Sequence, residues 1–217
     1  DVTVVRSSIP AIAGNLTIDA TNAATYANQT VIVQSGVVTI AGAQTFARLV
    51  VLGGSITHPA GGANALQLTI TGGAYVACGG AIDATGRGYP QATTDPHPSV
   101  TPPTAISAGN HIGRGGLWSG TSGSTFGSVY RPREAGAGGT TTVGAAGGGV
   151  IRIEAGTLRV DGTIRANGAN GNESGAGGSV WITAAALHGS GSIEAAGGSN
   201  GNRRGGGGAI SIEYQQT

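Results

Sequence analysis

The chain has no lysine, no methionine and one cysteine, and only 10% of its 217 residues are charged. Each shortage removes a class of function. Without lysine there is no Schiff-base or lysine general-base chemistry. All 11 basic residues are arginine, set against 10 acids for a formal net charge of +1. Nucleic-acid binding through counterion release needs a basic run or aromatic-basic interleaving, and neither occurs, so no nucleic-acid partner is expected. One cysteine excludes an intrachain disulfide. Alternation along Tyr75-Val76-Ala77-Cys78 puts that thiol on the face of Val76, which predicts a buried, inert group. No apolar run reaches about 18 residues, so no membrane insertion is expected. A chain that begins at Asp1 and lacks Met is expected to be a processed protein or an excised domain.

Glycine is abundant instead, at 43 of 217 residues, against a usual share of about 7%. The apolar content of 39% and sustained Val/Ile/Leu alternation argue against disorder. Aromatics at 4% suit a narrow core of Val, Ile, Leu and Ala.

A repeat closes the chain. Val150-Ile151-Arg152-Ile153-Glu154 recurs as Val180-Trp181-Ile182-Thr183 and as Ile210-Ser211-Ile212-Glu213, at offsets of 29 and then 30 residues. Later beats follow the first two copies, Thr163-Ile164-Arg165-Ala166 and Ser192-Ile193-Glu194-Ala195, each trailed by Gly, Asn and Ser. Short alternating segments at a fixed period predict a solenoid in which each coil stacks on the last. Residues 68–84 match residues 151–166 with one residue of slack, and tighter coils start at Val31, Leu49 and Leu66, 18 and 17 residues apart. The expected fold is therefore all-β, a single right-handed parallel β-helix over residues 1–217. Residues 1–30 would form an N-terminal cap and first coil, with a helical turn within 20–28. Residues 31–88 would form short coils, and residues 148–217 glycine-rich coils of about 30 residues.

Between them the beat stops. Residues 89–147 hold six of the eight prolines and two of the four histidines. A stretch this long without repeats predicts one elaborated Pro/Gly-rich excursion, anchored by Trp118, Phe126 and Tyr130. If it leaves and rejoins one coil, Asp83, Arg165 and Glu194 form an acid-base-acid column on successive coils, which acts as a register device. By the same alignment Arg152, Trp181 and Ser211 face outward one above another, and Arg159 lies beside His188. Trp181 is then either an open indole platform beside a guanidinium or lies under the excursion.

The run Gly80-Ala81-Ile82-Asp83-Ala84-Thr85-Gly86-Arg87-Gly88-Tyr89-Pro90 begins a longer pattern. It continues through Gly109-Asn110-His111-Ile112-Gly113-Arg114-Gly115-Gly116 and Gly127-Ser128-Val129-Tyr130-Arg131-Pro132, and closes with the coil at Gly148-Gly149-Val150-Ile151. Together these resemble the glycine-rich β-helical segments of large secreted or surface-anchored bacterial proteins, over roughly residues 30–217. The resemblance implies an extracellular or cell-surface location and an adhesive, fibre or fibre-tip role. It brings no catalytic motif.

Catalytic and metal-binding alternatives are thinly supported by the residues. Glycosidase chemistry needs two carboxyls about 5–10 Å apart, and the acids are scattered. Glu154 and Glu213 could share a column two coils, roughly 9.6 Å, apart. Asp95, His97 and His111 lack zinc-site spacing, and residues 168–173 lack the Asp-bearing repeat of calcium turns. No cofactor or metal is expected. The reading is an extracellular, non-catalytic adhesin or fibre module that binds a host or prey surface glycan or protein. The candidate binding residues are Trp181, Arg152, Trp118, Tyr130 and Arg131. A polysaccharide-degrading β-helix enzyme and a purely structural spacer rod remain alternatives, as does a homotrimer joined along its flanks.

Overall fold

The computed structural model describes residues 8–104, 106–141, 144–199 and 202–215. Its elements follow in chain order. Strands β1 (Ile12–Ala13) and β2 (Leu16–Ile18) precede a single helical turn, α1 (Ala23–Tyr26). Next come β3 (Thr30–Ser35), β4 (Val37–Ile40), β5 (Ala43–Phe46), β6 (Arg48–Thr57) and the long β7 (Leu66–Asp83). After a gap come β8 (Val150–Val160), β9 (Thr163–Arg165), β10 (Ser179–His188), β11 (Ser192–Glu194) and β12 (Ala209–Tyr214). All twelve strands belong to one sheet, whose main path runs β1-β3-β6-β7-β8-β10-β12. Every pairing between these strands is parallel. The fold is all-β, in an arrangement compatible with a solenoid.

Register ties the repeat to the core. Ile151 pairs with Val180, and Val180 with Ile210. Leu66 pairs with Ile151 although residues 84–149 intervene. A second column runs Leu16-Val38-Ile56-Ile82-Ile164-Ile193, and a third Val33-Val51-Val76-Val160. β-Branched residues at every second position fill these columns because they pack well on a pleated surface. The columns merge into one buried cluster, against which Ala23 and Tyr26 of α1 also pack.

One expectation fails at a corner. Cys78 is exposed, not buried beside Val76. Val51 pairs with Val76 but Gly53 pairs with Gly79, so Ala77 and Cys78 together oppose Leu52. That extra residue is a β-bulge, and it resets the alternation and turns the thiol outward.

The glycine-rich segments are more than corners. Gly136, Ala137, Gly138 and Gly139 donate their N–H groups in turn to the carbonyls of Gly148, Asn110, Thr93 and Ala145. Gly175, Ala176, Gly177 and Gly178 do the same to Ala169, Ala137, Gly206 and Ala166. In a sheet, successive donors alternate between two neighbours. Here they rotate through three directions and return to the first segment at the fourth residue. That is the three-residue turn of a polyproline II-type helix, with its backbone groups bonded to neighbouring helices instead of to water. Glycine is required at the contacts. A Cβ on Gly175 would fall inside van der Waals contact with the Ala146 carbonyl oxygen, and one on Gly205 with that of Gly175. Residues 107–116, 135–139, 144–149, 166–169, 174–178, 195–198 and 204–208 thus form a layer of their own beside the strands.

Candidate functional site

Two patches carry the chemistry-bearing side chains. The first lies on the outward column of β8, β10 and β12. Gln67, Arg152, Trp181 and Ser211 stack there in register. Trp181 is 7% exposed, so it is the covered alternative and not an open platform. Two guanidinium groups lie over its ring, Arg152 at 4.6 Å and Arg133 at 5.3 Å from the centroid. Its indole Nε1–H donates to Glu213 Oε1 at 3.2 Å. The segment bearing Arg133 is fastened along this face, because Ser179 Oγ donates to the Glu134 carbonyl and Ser211 Oγ to the Tyr130 carbonyl, at 2.6 and 2.9 Å. Two arginines on one indole combine cation–π attraction with burial of the ring.

Beside it runs the column Thr69-Glu154-Thr183-Glu213. Glu154, Thr183, Glu213 and Tyr214 line a depression of about 300 Å³. The two carboxylates expected to share a column therefore share a concavity.

The second patch surrounds Trp118, which is 70% exposed. The Arg203 guanidinium lies 4.9 Å from its ring centroid and is held from behind. Arg203 Nη1 meets Glu173 Oε1 at 2.5 Å, and Thr141 Oγ1 donates to Glu173 Oε2. Glu173 is itself a rung, since Gly144, Glu173 and Arg203 form successive parallel bridges. Tyr130 and Arg131 belong instead to the segment fastened to the first patch at Ser211, where Tyr130 is 83% exposed and Arg131 is also exposed. Both backbone N–H groups donate to Ser128 Oγ, at 3.2 and 3.3 Å. Val129 and Tyr130 border a concavity of about 380 Å³ with Ile112 and Phe126.

The charge column is in register, with Asp83 opposite Arg165 and Arg165 opposite Glu194. Only its first step is an ion pair among the described residues. Arg165 Nε and Nη2 donate to Asp83 Oδ2 at 2.9 and 2.7 Å. Burial would raise the Asp83 carboxyl, but hydrogen bonds from Arg165 and Thr85 outweigh it and hold the group below its ordinary range. Glu194 instead accepts from Asn167 Nδ2 and Ser192 Oγ, at 2.8 and 3.0 Å. Arg159 pairs in register with His188 and with Tyr75, and its Nε bonds Asp161 at 2.7 Å.

The histidines do not gather. His97 bonds Ser99 in an exposed turn, while His111 is buried with Nδ1 on the Gly177 carbonyl at 2.8 Å and its ring against Phe126. No group of three or more metal-ligating side chains exists among the described residues. No helix among them is long and apolar enough to cross a membrane.

Four residues escaped the sequence. Arg133 reaches Trp181 across the fold, and no local spacing announces it. Glu173 and Arg203 lie 30 residues apart, which is the repeat offset itself, so that pair could have been found. His58 is fully buried, sharing Nδ1 with the Pro59 carbonyl at 2.8 Å and accepting the Val150 N–H at Nε2, at 3.2 Å. Comparison with family models, curated proteins and solved structures finds no match to this chain.

Proposed function

We propose that the protein is an extracellular, non-catalytic recognition module of an adhesin or fibre, built on a right-handed parallel β-helix, and that it binds a surface glycan or protein. One observation carries the reading. Trp118 and Tyr130 stand 70% and 83% exposed, Trp118 just after a segment of the glycine layer and Tyr130 on a segment fastened to β12. Exposing two large rings costs apolar burial that a spacer rod would have no reason to forgo. Rigid, amphipathic aromatics lose little conformational entropy on binding and suit sugar faces and protein anchors alike. The backbone is pinned at both, with Gly116 N–H on the Arg204 carbonyl and Trp118 N–H on the Ile106 carbonyl, each at 2.8 Å, and Ser211 Oγ on the Tyr130 carbonyl at 2.9 Å.

The test is a glycan array probed with the whole chain, followed by cell-surface adhesion of Trp118→Ala and Tyr130→Ala. The reading expects binding that falls at least about tenfold in one variant while the thermal midpoint stays put. Blank arrays together with unaltered adhesion in both variants would leave the spacer reading.

A second reading draws on the shared depression of Glu154 and Glu213. Two carboxylates on rungs whose backbones lie roughly 9.6 Å apart match the wider spacing an inverting hydrolase uses. Release of reducing ends from a polysaccharide panel, abolished by Glu154→Gln or Glu213→Gln, would establish it.

A further inference from the structure

The chemistry around Trp118 narrows the ligand class, on the assumption that the recognition reading above is right. Three guanidinium groups belong to this corner. Arg203 stacks on the indole at 4.9 Å. Arg204 and Arg114 are both exposed. The backbone brings them to the same edge. Gly116, two residues before Trp118, donates to the Arg204 carbonyl at 2.8 Å, and Gly113, just before Arg114, donates to the Gly207 carbonyl at 2.9 Å. A Cβ on Gly116 would touch the Arg203 Cα at 3.4 Å, and one on Gly206 would lie 3.0 Å from the carbonyl carbon of Arg114. The 113–118 and 203–207 segments therefore run against each other with no room between them.

The carboxylate that this corner does contain is already committed. Glu173 is buried, and its two oxygens are taken by Arg203 and Thr141. That pair fixes the Arg203 guanidinium over the ring, while Arg204 and Arg114, on the same two abutting segments, face solvent.

We propose that the face formed by Trp118, Arg204 and Arg114 binds an acidic saccharide. One sugar ring stacks on the indole, and its carboxylate or sulfate is paired by the flanking guanidinium groups. An indole offers a flat apolar face for the C–H side of a pyranose, and a guanidinium offers a planar fork to a carboxylate or sulfate. A neutral glycan could accept hydrogen bonds from two exposed arginines but would gain no ion pairing from them. A single-stranded nucleic acid would want several stacking rings along a basic groove, and the chain's net charge is only +1.

Three fluorescent probes separate the outcomes for the intact chain: an oligogalacturonide, a heparin-derived oligosaccharide and neutral cellopentaose. A single-stranded oligodeoxynucleotide serves as a fourth. The expected result is binding of at least one acidic oligosaccharide, at least about tenfold tighter than cellopentaose and weakening as salt rises. Arg204→Gln and Arg114→Gln should each lower that affinity about threefold to tenfold and flatten its salt dependence. Trp118→Ala should lower it too, with the circular dichroism spectrum unchanged because the ring is already in solvent. Equal, salt-insensitive binding of acidic and neutral probes would overturn the acidic class and leave glycan recognition standing. Oligonucleotide binding as tight as the best saccharide would overturn the proposal. Binding of none of the four would overturn it together with the glycan reading on which it rests.

Discussion

Gly175 tolerates nothing larger than hydrogen, because a methyl there would press on the Ala146 carbonyl. Gly175→Ala should cost about 2 kcal/mol or more, since a backbone neighbour cannot swing aside. Gly207 has open space around its would-be Cβ, so Gly207→Ala should stay within about 0.5 kcal/mol of the parent. Urea denaturation of both variants measures the contrast, and equal losses would contradict the packed layer. The buried histidines add a pH dependence. Burial lowers the pKa of both His58 and His111 from 6.5, and His58 must be neutral at Nε2 to accept the Val150 N–H. A group whose folded-state pKa is depressed contributes stability that is complete above its unfolded value and is lost as pH falls. The thermal midpoint should therefore hold above about pH 6.5 and drop as pH falls below it, before any carboxylate protonates. A midpoint flat from pH 8 to 5 would contradict this. Neither the bulge that exposes Cys78 nor the reach of Arg133 to Trp181 was legible in sequence. A bulge changes register without changing composition, and a long-range stack leaves no period.

At the scale of elements, offsets in the sequence did translate into neighbours. The alignment that set Asp83, Arg165 and Glu194 in one column is the register of β7, β9 and β11. Which step of that column would pair was not legible, because side-chain direction is decided by Asn167 and Ser192 beside Glu194. A double-mutant cycle on Asp83→Ala and Arg165→Ala should give a coupling of about 1 kcal/mol or less, since the arginine is partly solvated. The same cycle on Arg165 and Glu194 should give a smaller value, since charge attraction acts there without a hydrogen bond between the two side chains. The Glu173–Arg203 pair is different in kind, with both side chains nearly buried. Arg203→Met should cost about 3–5 kcal/mol by stranding the Glu173 carboxylate, and it should shift Trp118 fluorescence as the stacked cation leaves. The layer formed by the glycine tails was not legible as such, because glycine carries no inward or outward signature. Their clue was the spacing of three in Gly136/Gly139, Gly175/Gly178 and Gly205/Gly208, which suits a threefold helix and not a strand.

For the whole molecule, two hydrogen-bonding regimes share one chain. Parallel rungs bury Val, Ile and Leu, while the adjoining layer buries backbone and mostly small side chains, with His111 and Asn110 among them, and relies on glycine for its closest contacts. The exposed Trp118 comes just after the 107–116 segment of that layer, so the rigidity of its backbone depends on the stacking beneath it. The most direct test places nitroxide pairs along the outward column in a Cys78→Ser background, at Glu154/Thr183, Thr183/Glu213 and Glu154/Glu213, and reads the distances by electron paramagnetic resonance. Backbone separations of about 5, 5 and 10 Å are expected for successive rungs. Either adjacent pair beyond about 15 Å, or an outer pair as close as the inner ones, would contradict stacking of one coil on the next.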